Sequence, residues 1–209
     1  MLGVADISEI ADGLWRWTAG HPEWTAGARR GSTADWPREV GSVAYAAPDA
    51  LVVIDPLVPA GAEALWAWLD ERAANRRGTV AVVTTIKWHR RSRDVVASRY
   101  GASTSRARAA LPEGVEPVPI RGFGETMFWI AAERTLVPGD RLLGAGAGAL
   151  RLPPASWLGY LGAGKGPSAL AHAMRPLLDL PVERVLVSHG QPVLRGGRNA
   201  IARVLEEAS

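Results

Sequence analysis

The chain has 209 residues, 47% of them apolar and 22% charged, with a formal net charge of +3. This length and balance suit a single α/β domain over residues 1–209 with a sizeable core, and they exclude a disordered or fibrous chain. The sequence has no cysteine, which excludes disulfides, zinc–thiolate centres and a thiol nucleophile.

The first residues, MLGVADISEIADGLW, carry acid where a secretion signal needs a basic stretch and then an apolar run. No window reaches the roughly 20 apolar residues that span a bilayer. A cytoplasmic protein with no membrane partner is expected. The isoelectric point near 9.8 comes from arginine, since only two basic residues are lysine, Lys87 and Lys165. Heavy use of Arg, Ala and Gly reads as the coding bias of a GC-rich, bacterial-type genome. Lys87, Arg90, Arg91, Arg93 and Arg99, followed by Arg106 and Arg108, form a basic cluster that reads first as a solvated helix face.

Residues 8–18 predict a strand, with Ile10, Leu14 and Trp17 apolar between turn signals. Val40 to Ala47 and Ala50 to Ile54 predict a hairpin around Pro48 and Asp49. Its second strand, ALVVI, is apolar throughout, as a strand buried on both faces must be. Ala64, Leu65, Trp68, Leu69 and Ala73 at helical spacing predict a helix over 60–75, closed by Gly78. TVAVVTT (79–85) predicts another buried strand, and a basic loop then leads to a helix over 91–100. Strands are predicted over 115–121, 125–131 and 134–138, and the Gly-rich stretch 142–154 reads as a loop. A helix over 167–178, a strand over 184–188 and a helix over 197–207 complete the chain. A strand meander followed by alternation with helices, twice over, predicts two mixed sheets packed face to face with helices outside.

Four landmarks then point to a family. They are Ile54-Asp55-Pro56, the strand VAVVTT with its polar loop and helix, Thr135-Leu136-Val137-Pro138-Gly139-Asp140, and Val185-Leu186-Val187-Ser188-His189-Gly190. In this order they resemble the metallo-β-lactamase superfamily from about residue 10 to 195. The resemblance implies an αββα sandwich whose zinc ligands sit in loops just beyond strand ends. It places an H-x-H-x-D-H loop after the second landmark strand, a metal-bridging aspartate at Asp140 and a last ligand at His189. It implies hydrolysis by metal-activated water.

The metal loop departs from that pattern. It reads Thr84-Thr85-Ile86-Lys87-Trp88-His89-Arg90-Arg91-Ser92, with one histidine where the motif has three. Two registers are open. In one, His89 matches the last histidine, Trp88 replaces the aspartate, and Thr84 and Ile86 replace the first two histidines. In the other, Thr85 matches the threonine before the motif and all four ligands are gone. The family's middle histidine would fall near Arg121-Gly122-Phe123, which holds none. At most His89, Asp140 and His189 are left.

Several readings follow. In the first, the chain is a divergent hydrolase-like protein without a dinuclear centre or any cofactor, acting on a small anionic or ester/lactone-type substrate. Lys87, Arg90 and Arg91 beside Trp88 then supply the positive charge, and His189, oriented by Asp140, serves as general base. In the second, His89, Asp140 and His189 hold one zinc or iron ion, converging within about 2.0–2.2 Å of one point. Against it, a basic side chain about 5 Å from the ion, at an effective dielectric near 20, costs roughly 3 kcal/mol for each unit of the ion's charge. In the third, the fold is kept as a non-catalytic ligand-binding or scaffold module. Nucleic acid is the weakest partner, because no known motif accompanies the basic loop. Trp24 and Trp36, in the polar stretch 20–39, are candidates to line a pocket for an apolar or aromatic ligand. His21 and His172 carry no motif and read as structural or surface residues. Asp55 reads as fixing the strand-end turn.

Overall fold

The structure, a computed structural model, describes residues 6–76, 78–102 and 111–208. Arg106 and Arg108 of the basic cluster lie outside them. The first sheet follows chain order. Strands β1 (Asp6–Ala11), β2 (Leu14–Gly20), β3 (Glu39–Ala46) and β4 (Leu51–Ile54) pair antiparallel, and β5 (Val80–Val83) joins β4 in parallel. A parallel neighbour needs a crossover, and α1 (Glu63–Ala74) supplies it. Helix α2 (Arg93–Tyr100) follows β5.

In the second sheet, β6 (Val115–Ile120), β7 (Glu125–Ile130) and β8 (Thr135–Val137) form an antiparallel meander. A separate hairpin of β9 (Leu143–Gly146) and β10 (Ala149–Arg151) comes next. After α3 (Pro167–Met174), β11 (Arg184–Val185) returns parallel to β8, and α4 (Gly197–Glu207) ends the chain.

Period-two alternation sorts side chains into layers. Leu51 and Val53 of β4 face outward onto Leu65 and Leu69 of α1 and Val96 of α2. Their neighbours Val52 and Ile54 face the second sheet and join Phe128, Ile130 and Val137 in the central core. On the far side, Trp129 and Leu136 pack with Leu170 and Met174 of α3 and Ile201 and Val204 of α4. Each fully buried aliphatic side chain contributes about 1.5–3 kcal/mol. The layers run helix, sheet, sheet, helix, the αββα order expected from the sequence.

Four segments differ from expectation. Residues 8–18 form a hairpin instead of one strand, because Asp12-Gly13, with Gly13 at φ +70°, reverses the chain where Ala11 meets Leu14. The 142–154 stretch holds the β9–β10 hairpin, turned through Ala147 (φ +49°) and Gly148 (φ +75°). The helix over 167–178 is α-helical only to Met174 and tightens to a 3-10 turn over Arg175–Asp179, where Pro176 has no N–H to donate. The strand over 184–188 pairs regularly only at Arg184–Val185, although the Leu186 N–H still reaches Leu136 O at 2.9 Å. Among the described residues, no helix is long and apolar enough to cross a membrane.

This architecture brings one end of four strands together. Asp55 follows β4, residues 84–92 follow β5, Asp140 follows β8 and His189 follows β11. Loops far apart in sequence are thereby fixed on rigid sheets around one point.

Candidate functional site

At that point His89, Asp140 and His189, all buried, present ligand-type atoms within 4.8 Å of one another. His89 Nε2 is 3.1 Å and His189 Nε2 is 3.3 Å from the same oxygen, Asp140 Oδ1. Both imidazole nitrogens thus face one buried oxygen at distances that let them support its negative charge. The other oxygen, Oδ2, accepts a short hydrogen bond from the Trp88 indole N–H.

Asp55 backs this cluster. Its Oδ1 accepts the Thr85 N–H at 2.8 Å, while Oδ2 takes the Thr85 hydroxyl at 2.5 Å and lies 2.8 Å from His89 Nδ1. With Nδ1 engaged on a carboxylate, His89 turns Nε2 toward Asp140. Asp55 itself has φ +49°, a left-handed backbone conformation uncommon for a non-glycine residue. Glu125, at the start of β7, grips the loop that carries Asp140. Its carboxylate accepts three successive backbone N–H groups, from Gly139 at 3.0 Å, Asp140 at 2.7 Å and Arg141 at 3.0 Å. Arg91 donates to Gly41 O (3.0 Å), Asp55 O (3.2 Å) and Ser188 Oγ (2.7 Å), placing a half-buried cation beside the cluster.

The three titrating groups are pulled in opposite directions. Burial and Arg91 disfavour a charged His89, but Asp140 and Asp55 outweigh them and raise its pKa to about 9. Burial would raise the Asp140 pKa, yet the two imidazoles hold the carboxyl well below its usual range. For His189 burial prevails over Asp140, and the pKa falls. Burial, then repulsion from Asp140, lifts Glu125 to about 7 despite Arg141 and its backbone donors.

The cluster forms the floor of a cavity of about 320 Å³. Trp36 and Trp157 stand edge-on to His189 with ring centroids at 5.8 and 5.7 Å. Trp88 and Tyr160, which also line the cavity, make a T-shaped pair at 5.3 Å. The wall bearing Trp36 is tied to the one bearing Trp157, since Trp157 Nε1 donates to Ser32 O at 2.9 Å and the Ser156 hydroxyl to Gly31 O at 2.5 Å.

Of the site residues read from the sequence, the structure gathers His89, Asp140, His189, Trp88, Arg91 and Trp36 at this cavity. Lys87 stands behind its wall, 5.5 Å from both the Trp88 and Tyr160 rings. Arg90 is exposed and Trp24 does not line the cavity; the Trp24 indole instead donates to Trp36 O at 3.0 Å. Arg99 is no part of a cleft either and pairs with Asp70 at 2.5 Å. His21, read as a structural or surface residue, lines the cavity 5.0 Å from Trp36, whereas His172 is exposed on α3. Asp55 does more than fix a turn, since it orients His89. Glu125, Arg141, Trp157 and Tyr160 were not foreseen. A carboxylate opening the apolar run ETMFWI was the one available signal for Glu125.

The donor set suits a single metal ion. Zinc bound at about 2.0–2.2 Å in a tetrahedron spaces its ligand atoms roughly 3.3 Å apart, and the two nitrogen–oxygen distances here are 3.1 and 3.3 Å. A carboxylate that bridges through both of its oxygens would need Oδ2, which Trp88 occupies.

No family model and no curated protein sequence matches the chain. Its fold does match solved structures. The architecture is that of the metallo-β-lactamases. An NDM_FIM-1-like metallo-β-lactamase from Erythrobacter litoralis in the mono-zinc form matches over 100% of this chain and 98% of its own, with TM-score 0.60 and 18% identity. FIM-1 from Pseudomonas aeruginosa, also in the mono-zinc form, matches over 99% and 96%, with TM-score 0.58 and 12% identity. DIM-1 metallo-β-lactamase matches over 100% of both chains, with TM-score 0.58 and 11% identity. The chain therefore has the metallo-β-lactamase fold, as its four landmarks implied.

Proposed function

We propose that this chain is a hydrolase-type protein that lacks a dinuclear centre and acts on a small anionic or ester/lactone-type substrate. The observation that carries this reading is the convergence of His89 Nε2 and His189 Nε2 on one buried oxygen of Asp140 whose partner oxygen is already taken by Trp88. Three donors around one point suit one zinc or iron ion, and the fold likeness includes two metallo-β-lactamases solved in a mono-zinc form. Such an ion acidifies bound water and polarises an acyl oxygen.

The chain's own groups do the rest. Asp55 fixes the His89 ring, Glu125 fixes the Asp140 loop, and Arg91 adds a cation that favours an oxyanion on the cleft floor. Trp36, Trp157 and Trp88 line the space above with aromatic surface. Elemental analysis of purified protein by inductively coupled plasma, with an esterase, lactonase and phosphodiesterase screen, tests the reading. One ion per chain and chelator-sensitive turnover are expected. Two ions per chain would overturn it.

A metal-free version of the same chemistry is favoured by one observation, the Arg91 guanidinium already seated beside the cluster. His189 against Asp140 would then take the proton from water. Turnover that persists in chelator, without bound metal, selects this version. A tight ligand with no turnover in the screen selects a non-catalytic binding module.

A further inference from the structure

His21 lines the cavity but belongs to none of the four strand-end landmarks. It directly follows β2, and its backbone is held at the neck of the 21–38 loop. The His21 N–H donates to Arg38 O at 2.8 Å, just before β3, and His21 O accepts the Trp24 N–H at 3.1 Å. The ring stands edge-on to Trp36 with centroids 5.0 Å apart, and Trp36 in turn stands edge-on to His189 at 5.8 Å. His21 is thus one aromatic ring away from the floor, on a backbone fixed by the sheet.

Hydrogen bonding fixes which ring nitrogen carries the proton. Nδ1 accepts the Glu23 N–H at 3.2 Å, so it presents a lone pair. Burial, then Arg91, keeps the His21 pKa below its usual 6.5 despite Glu23, which leaves the ring uncharged at neutral pH. A neutral imidazole whose Nδ1 accepts must carry its hydrogen on Nε2, at the opposite edge of the ring. Among the described residues no hydrogen bond engages that N–H. Glu23 also lines the cavity, and its carboxylate acts on His21. The Arg91 guanidinium is already engaged by Gly41 O, Asp55 O and Ser188 Oγ. An anion at His21 would therefore meet a like charge and a donor without charge, whereas an uncharged oxygen would gain a hydrogen bond.

We propose that His21 is a specificity-determining residue, whose Nε2–H donates to an uncharged oxygen on the part of the substrate remote from the reacting acyl group. The substrate is then an ester or lactone that carries a second carbonyl, ether or hydroxyl oxygen on an apolar or aromatic body. That body lies against Trp36, the reacting group lies on the His89–Asp140–His189 floor, and Glu23 disfavours an anion at the His21 end. The inference rests on the hydrolase reading for calling the ligand a substrate, but binding alone tests it.

The probes are phenylacetamide, toluene and phenylacetate, titrated into the full-length chain with tryptophan fluorescence as the readout. His21→Phe keeps a ring against Trp36 and removes the donor. His21→Gln loses Nδ1 but keeps an N–H near the place of Nε2–H. Both variants are first shown folded by circular dichroism. Phenylacetamide is expected to bind the wild type more tightly than toluene does, and His21→Phe to weaken it about fivefold. Toluene and phenylacetate are expected to bind His21→Phe as they bind the wild type. His21→Gln is expected to hold phenylacetamide within about twofold of the wild type, a rescue that a purely structural role for the ring would not give. The proposal is overturned if His21→Phe leaves phenylacetamide unchanged, or if it weakens toluene equally. It is also overturned if phenylacetate is the probe that depends on His21, which would make the partner an anion. A negative hydrolysis screen with His21-dependent phenylacetamide binding intact would remove the hydrolase reading and leave the hydrogen-bonding role standing.

Discussion

Glu125 holds Asp140 by its backbone: the Glu125 carboxylate accepts the Asp140 N–H at 2.7 Å, between the N–H groups of Gly139 and Arg141. The loop after β8 is therefore shaped by a side chain from the start of β7. Glu125→Ala would leave three buried donors unpaired, each worth about 1–3 kcal/mol, so a loss of about 3–5 kcal/mol in stability is expected. Glu125→Gln, which keeps one acceptor oxygen, is expected to lose less than half as much. Urea denaturation midpoints check both, and an unchanged midpoint for the alanine variant would dismiss the clamp.

Asp55 acts on His89 in a different way, through the ring. Its Oδ2 lies 2.8 Å from His89 Nδ1, which selects the face that Nε2 presents to Asp140. A carboxylate behind a ligand histidine typically contributes a factor of about 10–100 in metal affinity. Asp55→Asn is expected to weaken zinc binding by roughly tenfold, measured by competition with a fluorescent chelator. Wild-type affinity in that variant would reduce Asp55 to the turn-fixing role first read from the sequence.

The metal-free chain should lose stability as pH rises. His89 has its pKa raised from 6.5 to about 9 by Asp140 and Asp55 against burial. A group with a raised folded pKa stabilises fully below its unfolded value, and that contribution fades as pH climbs through the folded value. The His89 contribution is therefore present below about pH 6.5 and gone above about pH 9. Glu125, raised from 4.5 to about 7 chiefly by burial, has the same sign over its own window. Asp140, held below its usual range by the imidazoles, contributes above that range and is lost in strong acid. Thermal melting of chelator-treated protein should show a decline between about pH 6.5 and 9, and His89→Gln should remove the upper part of it. A flat profile across that window would contradict the assignment.

The layers were legible because alternation is a two-sided constraint. Leu51 to Ile54 are apolar at every position, so β4 had to be covered on both faces, and α1 and the second sheet cover it. Asp140 and His189 were legible because each follows a short apolar strand at a recognisable landmark. Glu125 and Arg141 escaped notice because nothing local distinguishes a buried carboxylate or guanidinium from a solvated one. Their partners are backbone groups 14 to 18 residues away, brought near only by the β7–β8 pairing. Arg91 was read as one basic residue among several, and only the loop's turn separates it from exposed Arg90. The hairpin at Asp12-Gly13 carried its own signal, which the apolar spacing on either side obscured.

Gly190 fixes His189 from the other side. It has φ +87°, and an added Cβ would lie 2.4 Å from Gly144 O; at Gly144 a Cβ would meet Gln191 O at 2.1 Å. Both obstacles are backbone, and the Gly144 N–H already bonds His189 O at 2.9 Å, so neither strand can retreat without moving the histidine. Gly190→Ala is therefore expected to cost more than about 3 kcal/mol and to weaken metal binding as well. Gly148→Ala separates strain from clash, because Gly148 has φ +75° but nothing within 4 Å of the added Cβ. That variant should lose only about 1 kcal/mol and bind metal normally. Melting temperatures and zinc stoichiometry of the two variants decide the matter. Equal losses in both would mean that backbone conformation alone, and not the contact between the β9 loop and the His189 loop, sets the position of His189.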